Sequence, residues 1–186
     1  MDNIFYLVVF VILILIIAFV IKNNEQIKND TFKKRSIKFL NTKKENDFVF
    51  TNTIYFLENE IKLRYGKNKK EKDYQDDLFQ AFGILRERHG YEIKYEAKNG
   101  RHRVDFSVSD TIGIELKVHR CGSQVKKELF NQITDYANYY PKMIGIVVNV
   151  NDKDTPDEIR SDLYSKLKQQ NVITEINYYI VVLNIK

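Results

Sequence analysis

Two acids and a lysine occupy neighbouring segments whose composition predicts strands. Asp105 falls within residues 102–108, and Glu115 and Lys117 fall within residues 112–118. Side chains alternate between the two faces of a strand, so the odd-numbered positions of each segment share one polar face, while the even-numbered positions are mostly apolar. Carboxylates can hold a hard divalent cation, and a nearby lysine can move a proton or stabilise negative charge.

The spacing of the two strands predicts that the carboxylates face each other. A tight turn at Asp110 pairs Val108 with Ile112 and therefore sets Asp105 directly opposite Glu115. Opposed carboxylates repel each other, because their Cβ atoms lie about 5 Å apart. A bound Mg²⁺ or Mn²⁺ would relieve that repulsion, since both ions prefer carboxylate oxygens.

A ladder of surface ion pairs is the alternative to metal binding. Asn99-Gly100 is a strong hairpin signal, and a turn there places Lys94 opposite Asp105. The same register places Glu96 opposite Arg103. Spacing alone leaves both interpretations open.

The predicted elements around these strands alternate from residue 73 onward. Apolar residues recur at helical spacing in three segments, and Ile144–Val150 is a continuous apolar run of the kind found in strands buried on both faces. The order of elements predicts an α/β domain with a mixed sheet of about five strands flanked by helices. The predicted elements are a helix over 73–90, strands over 91–97, 102–108 and 112–118, a helix over 124–140, a strand over 144–150, a helix near 157–170 and a strand near 177–184.

The stretch YEIKYEAKNGRHRVDFSVSDTIGIELKV resembles the PD-(D/E)XK, or restriction-endonuclease-like, nuclease superfamily. That family carries an acid on one core strand, here Asp105, and the motif (D/E)-x-K on the next, here Glu115-Leu116-Lys117. Gln132 and Tyr136 follow on the next helix and resemble the Q-x-x-x-Y motif of RecB-like members. The resemblance covers roughly residues 73–150, and Val104 stands where the family often has proline.

The resemblance implies a restriction-endonuclease-like core in α-β-β-β-α-β order and a metal-dependent nuclease, with DNA favoured over RNA as substrate. Asp105, Glu115 and the Leu116 carbonyl would hold Mg²⁺ or Mn²⁺. Lys117 would orient or deprotonate the attacking water, or stabilise charge at the phosphate. Gln132 and Tyr136 would support the site through hydrogen bonds, or form an ordinary polar helix edge.

A helix acid completes the family's metal site. Asp76 and Asp77 are the candidates, and Asp77 is preferred because it borders the buried stripe at Leu78. Both acids also lie near a helix N-terminus, where negative charge interacts favourably with the helix dipole.

The resemblance also suggests a homodimer, because many members of that superfamily pair their sites to cut both strands. Four residues on or beside the polar face are candidate contacts to nucleic-acid phosphates: Lys94, Arg101, Arg103 and His119.

An apolar run of 18 residues, Ile4–Ile21, predicts one N-terminal transmembrane helix. A helix of that length spans about 27 Å, close to the hydrocarbon thickness of a bilayer. Eight basic residues follow between Lys22 and Lys44 and none precede the run, so the positive-inside rule predicts a single-pass membrane protein with a cytoplasmic C-terminal domain. The single cysteine agrees with a reducing compartment.

These features predict three regions: an anchor over 1–22, a basic tether with an amphipathic helix over 23–72, and the nuclease-like domain over 73–186. The amphipathic helix carries Phe50, Ile54, Leu57, Ile61 and Tyr65 on one stripe and ends at Gly66. A net charge of +5 favours partners that carry phosphate, either nucleic acid or an anionic membrane face. Two other functions stay open: an inactive nuclease fold used for binding or scaffolding, and a membrane-anchored interaction protein whose acids form salt bridges.

Overall fold

The computed structural model describes residues 43–99, 102–151, 153–169 and 177–185, without the side chains of Asn99 and His102. The chain divides into two units, residues 1–46 and 47–186, and the fold below is that of the second, together with residues 43–46 at the start of α1. Its elements are α1 (43–59), α2 (Glu71–Ala81), α3 (Gly83–His89), β1 (Ile93–Asn99), β2 (His102–Val108), β3 (Ile112–His119), α4 (Gln124–Tyr136), β4 (Lys142–Asn149), α5 (Pro156–Gln169) and β5 (Tyr178–Asn184).

The five strands form one mixed sheet in the order β1-β2-β3-β4-β5. The first three strands are antiparallel neighbours, and β3, β4 and β5 run parallel to one another. The parallel strands are joined through α4 and α5, as parallel neighbours require a long crossover. The predicted α/β class and five-stranded mixed sheet flanked by helices are confirmed.

Two apolar layers cover the sheet. On β4, Ile144 and Ile146 pack in one layer while Met143 and Val147 pack in the other, because neighbouring residues of a strand face opposite sides. Helices α1, α2 and α3 cover the first face, and α4 and α5 cover the second. The buried helix residues of the first layer include Phe56, Leu57, Tyr74, Leu78 and Leu85, and those of the second include Leu129, Ile133, Ile159, Leu163 and Leu167. Phe82, between α2 and α3, is also buried in the first layer.

Helix α1 belongs to the core, which differs from the predicted boundary at residue 72. Phe50 and Leu57 are buried in the first layer, as their stripe predicted. The helix ends at residue 59, however, so Ile61 and Tyr65 lie beyond it, and Tyr65 is 52% exposed. The unit therefore begins at residue 47 rather than at 73.

The predicted helix over 73–90 is two shorter helices that begin earlier. Helix α2 starts at Glu71, and Asp73 caps it from inside the first turn, where its carboxylate accepts a hydrogen bond from the Lys70 amide at 2.6 Å. Phe82 separates α2 from α3. Gly90 ends α3 in the left-handed conformation (φ 68°), as expected of a glycine at a helix C-terminus.

The register of β2 against β3 is confirmed, whereas that of β1 against β2 is shifted by two residues. Val108 pairs with Ile112. In the other ladder Lys94 pairs with Ser107, not with Asp105. A shift by two keeps every side chain on its face, so the polar and apolar pattern could not distinguish the registers. The observed one pairs Tyr95 with Phe106, whose rings stack at 5.3 Å between centroids.

The apolar face of this hairpin changes side near Glu96, which the alternation did not predict. Glu96 has a φ of 51°, and after it Ala97 packs in the second layer although Tyr95 packs against the first. On β2, Val104 likewise belongs to the second layer and Phe106 to the first. Asp105 lies at this change of side.

No helix among the residues described, from 43 onward, is long and apolar enough to cross a membrane. The predicted anchor over Ile4–Ile21 lies outside them.

Candidate active site

The site forms where β2 and β3 stop pairing through their backbones. Their ladder ends at Phe106 and Ile114, one residue before the two predicted acids. Beyond it, the Leu116 amide donates to Asp105 Oδ2 at 2.7 Å, and the Asp105 amide donates to Glu115 Oε1 at 3.3 Å. Each carboxylate therefore accepts a hydrogen bond from a backbone amide that has no carbonyl partner on the neighbouring strand. The sequence correctly predicts that these acids lie together.

Helix α2 supplies a third acid, Glu71, which the sequence analysis missed. Its Oε1 pairs with Lys117 Nζ at 2.8 Å, and its Oε2 accepts the Val118 amide at 3.4 Å. Val118 follows Leu116 by two residues, so Glu71 and Asp105 bind successive donors on the same edge of β3. Gln75, one turn after Glu71 and 8% exposed, hydrogen-bonds to Asp105.

Helix α4 closes the opposite side of the site with Gln132 and Tyr136. The two side chains hydrogen-bond to each other, and the charge of Glu115 acts on Tyr136. Gly145, the β4 partner of Glu115, allows α4 to pack this closely, because a Cβ there would lie 2.6 Å from Ile133 Cδ1 on α4. The predicted Gln/Tyr pair is thus brought to the acids.

Burial dominates the electrostatics of the two acids. Burial, followed by the charge of Asp105, raises the pKa of Glu115 to about 9, and Glu115 is only 1% exposed. Burial also raises the pKa of Asp105, against the opposing effects of the Leu116 amide and Lys117. Two acids with raised pKa values at one place are typical of functional sites.

Lys117 is protonated in this environment. Burial lowers the pKa of Lys117, but the hydrogen bond to Glu71 and the charges of the nearby acids outweigh that effect, so its pKa is raised overall. Its side chain is 12% exposed. Burial, together with the charge of Glu115, raises the pKa of Tyr136.

The comparisons with known proteins concern the region that holds this site. Residues 50–154 match the family model described as "Domain of unknown function (DUF8371)". The chain belongs to this family. The matched residues include every side chain of the site, from Glu71 on α2 to Tyr136 on α4. No curated protein and no solved structure matches the chain.

The preferred helix acid, Asp77, does not join the other acids. Its carboxylate pairs with Lys69, while Asp76 accepts a hydrogen bond from the Tyr95 hydroxyl at 2.6 Å. The sequence pattern predicts a helix that begins at Asp73, two residues after the true start of α2. Glu71 therefore falls in the predicted loop and is missed. Glu71 and Gln75 show the i, i+4 spacing that marks one helix face, and that was the available signal.

The predicted phosphate contacts are spread over the molecule, and one of them is buried. Lys94 pairs with Asp110 at 2.7 Å, and Arg103 pairs with Glu96. His119 is 0% exposed and its Nε2 lies 2.5 Å from Asp154, so it cannot touch nucleic acid directly. It lies at the end of β3, where odd positions are covered by the second layer. Arg101 lies outside the described residues.

The site offers hard oxygen donors, but its described side chains do not form a complete set of metal ligands. Among the described residues, no group of three or more His, Cys, Asp or Glu side chains is arranged to hold a metal ion. Asp105 and Glu115 present two adjacent carboxylates, and the Leu116 backbone lies between Glu115 and Lys117. This donor set fits Mg²⁺ or Mn²⁺ better than a soft metal.

Proposed function

We propose that this protein is a membrane-anchored, divalent-metal-dependent nuclease that hydrolyses phosphodiester bonds, with DNA favoured over RNA. The observation that carries the proposal is the convergence of Asp105, Glu115 and Lys117 with a third acid, Glu71, in one polar site in which Glu115 is buried. The resemblance to PD-(D/E)XK nucleases supports the same activity, since those residues match its motif. The proposed anchor is Ile4–Ile21, with the domain facing the cytoplasm and a homodimer as a possible assembly.

Asp105, Glu115 and the Leu116 carbonyl are the proposed ligands of Mg²⁺ or Mn²⁺. When bound, such an ion supplies a Lewis acid and a stabilised hydroxide for phosphodiester hydrolysis. The raised pKa values of both acids support a cation at this place, because a nearby positive charge favours the ionised forms. Ligand carboxylates must lose their protons, so binding of the ion would release protons.

Lys117 is proposed to stabilise negative charge on the phosphate. Its raised pKa makes it a poor base near neutral pH, which favours the electrostatic role over deprotonation of water. Glu71 positions the ammonium through their 2.8 Å ion pair. Gln132 and Tyr136 orient groups around Glu115 from the side of α4.

A catalytically inactive fold used for binding or scaffolding is the second candidate. One observation favours it: both acids accept backbone hydrogen bonds that help close the sheet, so they have a structural role independent of catalysis. Only an activity measurement distinguishes the two functions.

The test uses the full chain in detergent micelles with labelled single- and double-stranded DNA and RNA, in Mn²⁺, Mg²⁺ or chelator. We expect cleavage only with the metal, its loss in Lys117→Ala, and a decrease of about 10- to 100-fold in Glu71→Gln, since a group that positions a metal-site residue has effects of that size. Glu87→Gln, at an exposed position of α3, is the control and should cleave like the parent chain.

A thermal melt accompanies the assay. Mn²⁺ should raise the melting temperature of the parent chain by binding only the folded state, and Asp105→Asn should remove the increase. Absence of both cleavage and a metal-dependent shift, in a chain that melts cooperatively, would refute the nuclease proposal. A shift without cleavage would favour the inactive fold.

A further inference from the structure

The segment that joins α1 to α2 is the most basic part of the described chain. Residues 61–72 contain six Lys or Arg residues and a single acid, Glu71, which belongs to the site. We call these six residues the basic strip: Lys62, Arg64, Lys67, Lys69, Lys70 and Lys72. The sequence predicts that this segment lies before the nuclease-like domain over 73–186, whereas it lies inside the folded unit.

The basic strip runs directly into the candidate active site. Lys70 and Lys72 flank Glu71, the partner of Lys117. Arg120, three residues after Lys117 on the chain, donates a hydrogen bond to the Lys69 carbonyl. Positive charge therefore continues from the edge of the site along the start of α2.

A groove is lined by three cations of the strip. It has a volume of about 400 Å³ and is lined by Lys62, Arg64, Lys69 and Asp77, among others. Asp77 is neutralised by Lys69, so the remaining charge of these four side chains is positive. A concave surface with one sign of charge attracts ligands of the opposite charge.

Four cations of the strip are available to a ligand. The side chains of Lys62, Arg64, Lys67 and Lys70 are exposed and have no ion-pair partner within the described part of the chain. Lys72, by contrast, pairs with Glu96 at 3.5 Å. Unpaired cations in a row bind successive phosphates of a nucleic-acid backbone.

An exposed aromatic ring interrupts this row of cations. Tyr65 is 52% exposed and lies next to Arg64 in sequence. An unpaired base can stack on such a ring, and cations next to an exposed aromatic ring are the usual surface for single-stranded nucleic acid. Paired bases of a duplex cannot reach the ring without unstacking.

We propose that the basic strip and Tyr65 bind a single-stranded stretch of the nucleic-acid substrate beside the site, with the cations on its phosphates and Tyr65 on one base. The inference rests on the proposed function in one respect, which is that the nucleic-acid strand passes from the basic strip to Lys117. Lipid headgroups would also meet the cations, but they would leave the continuity with the acid site and the aromatic ring unexplained.

The test measures binding of a fluorescent single-stranded oligonucleotide to the full chain in micelles with chelator, so that no metal-dependent cleavage occurs. We expect the double variant Lys62→Glu/Arg64→Glu to lose at least about tenfold in affinity and its salt dependence to become shallower by about 1.4 in log–log slope, at about 0.7 for each phosphate contact. The matched double variant Lys127→Glu/Lys168→Glu, on the opposite layer, should bind like the parent chain.

Tyr65→Ala isolates the stacking contribution. It should lower the affinity about fivefold or more without changing the salt slope, because stacking involves no phosphate. The parent chain should bind the matching duplex more weakly than the single strand. Equal affinity for duplex and strand would overturn the proposal.

Other outcomes separate this inference from the proposed function. If the two double variants bind the oligonucleotide equally, whether strongly or not at all, the basic strip does not bind nucleic acid as proposed. A surface for lipid headgroups would give that result. Metal-dependent cleavage that the strip variants leave unchanged also overturns it while the nuclease stands. Strip-dependent binding without cleavage in Mn²⁺ supports the strip and refutes the nuclease.

Discussion

At the scale of single residues, the site consists of acids that complete the hydrogen bonding of the sheet. Strand parity and a tight turn are enough to predict that Asp105 and Glu115 lie together, because the length of the turn fixes the register of β2 against β3. The burial of Glu115 could not be predicted. It depends on how closely α4 packs against β3, which the order of the elements does not determine.

The buried acid gives the protein a characteristic pH dependence. The pKa of Glu115 rises from an ordinary value of 4.5 to about 9 on folding, so the folded chain binds a proton more tightly than the unfolded chain. Its contribution to stability is therefore fully present below pH 4.5 and is lost as the pH rises through about 9. We expect Glu115→Gln to reduce the pH dependence of the unfolding free energy across this window by up to about 1.4 kcal/mol per pH unit.

Urea unfolding with chelator at several pH values measures the effect. Glu87→Gln, at an exposed position of α3, is the control and should keep the parent slope. Identical slopes for the parent and Glu115→Gln would contradict a buried, protonated Glu115.

At the scale of elements, the position of α4 decides whether the Gln/Tyr pair reaches the acids. The helix and strand order followed from periodicity, and β2 has the predicted bounds. The end of α1 and the break at Phe82 did not follow, since apolar spacing continued through both places. The register of β1 escaped prediction because two registers bury the same residues and ring stacking chooses between them.

Gly145→Ala should separate α4 from the sheet. The added Cβ would lie 2.6 Å from Ile133 Cδ1 and 3.0 Å from Ile180 Cδ1, so side chains of both α4 and β5 must move. We expect a loss of about 1 to 3 kcal/mol in unfolding free energy, as is usual for overpacked cores, together with slower cleavage. The measurements are urea unfolding and the nuclease assay.

Gly83→Ala is the matched control. A Cβ at Gly83 meets no atom within 4 Å, and the residue lies in helix α3. It should be neutral or stabilise the protein by up to about 1 kcal/mol. If Gly145→Ala were equally neutral, close packing of α4 would not control the site.

At the scale of the whole molecule, the composition predicts a basic protein and the apolar run predicts a membrane anchor. The described unit shows where part of the positive charge lies. The cations of residues 61–72 are already clustered in the sequence. The fold adds that the end of this cluster, Lys70 and Lys72, flanks Glu71, the partner of Lys117 in the site. The anchor itself remains a proposal from the apolar run.

The single cysteine makes the proposed topology measurable. Cys121 is exposed, and the chain has no other cysteine. We expect a membrane-impermeant maleimide to label the full chain only after intact cells are permeabilised, and alkaline washing to leave it in the membrane fraction. Deletion of residues 1–22 should release the protein. Labelling of intact cells would contradict the cytoplasmic orientation.

The early end of the β2–β3 ladder predicts which residues of the site relatives in this family should retain. Since Asp105 and Glu71 replace missing strand contacts, a lineage that abandoned chemistry would still retain them in order to fold. Gln132 is different: its buried Oε1 has no hydrogen-bond partner among the described residues, which is costly to keep. Relatives that lack the proposed nuclease activity should therefore carry an apolar residue at that position.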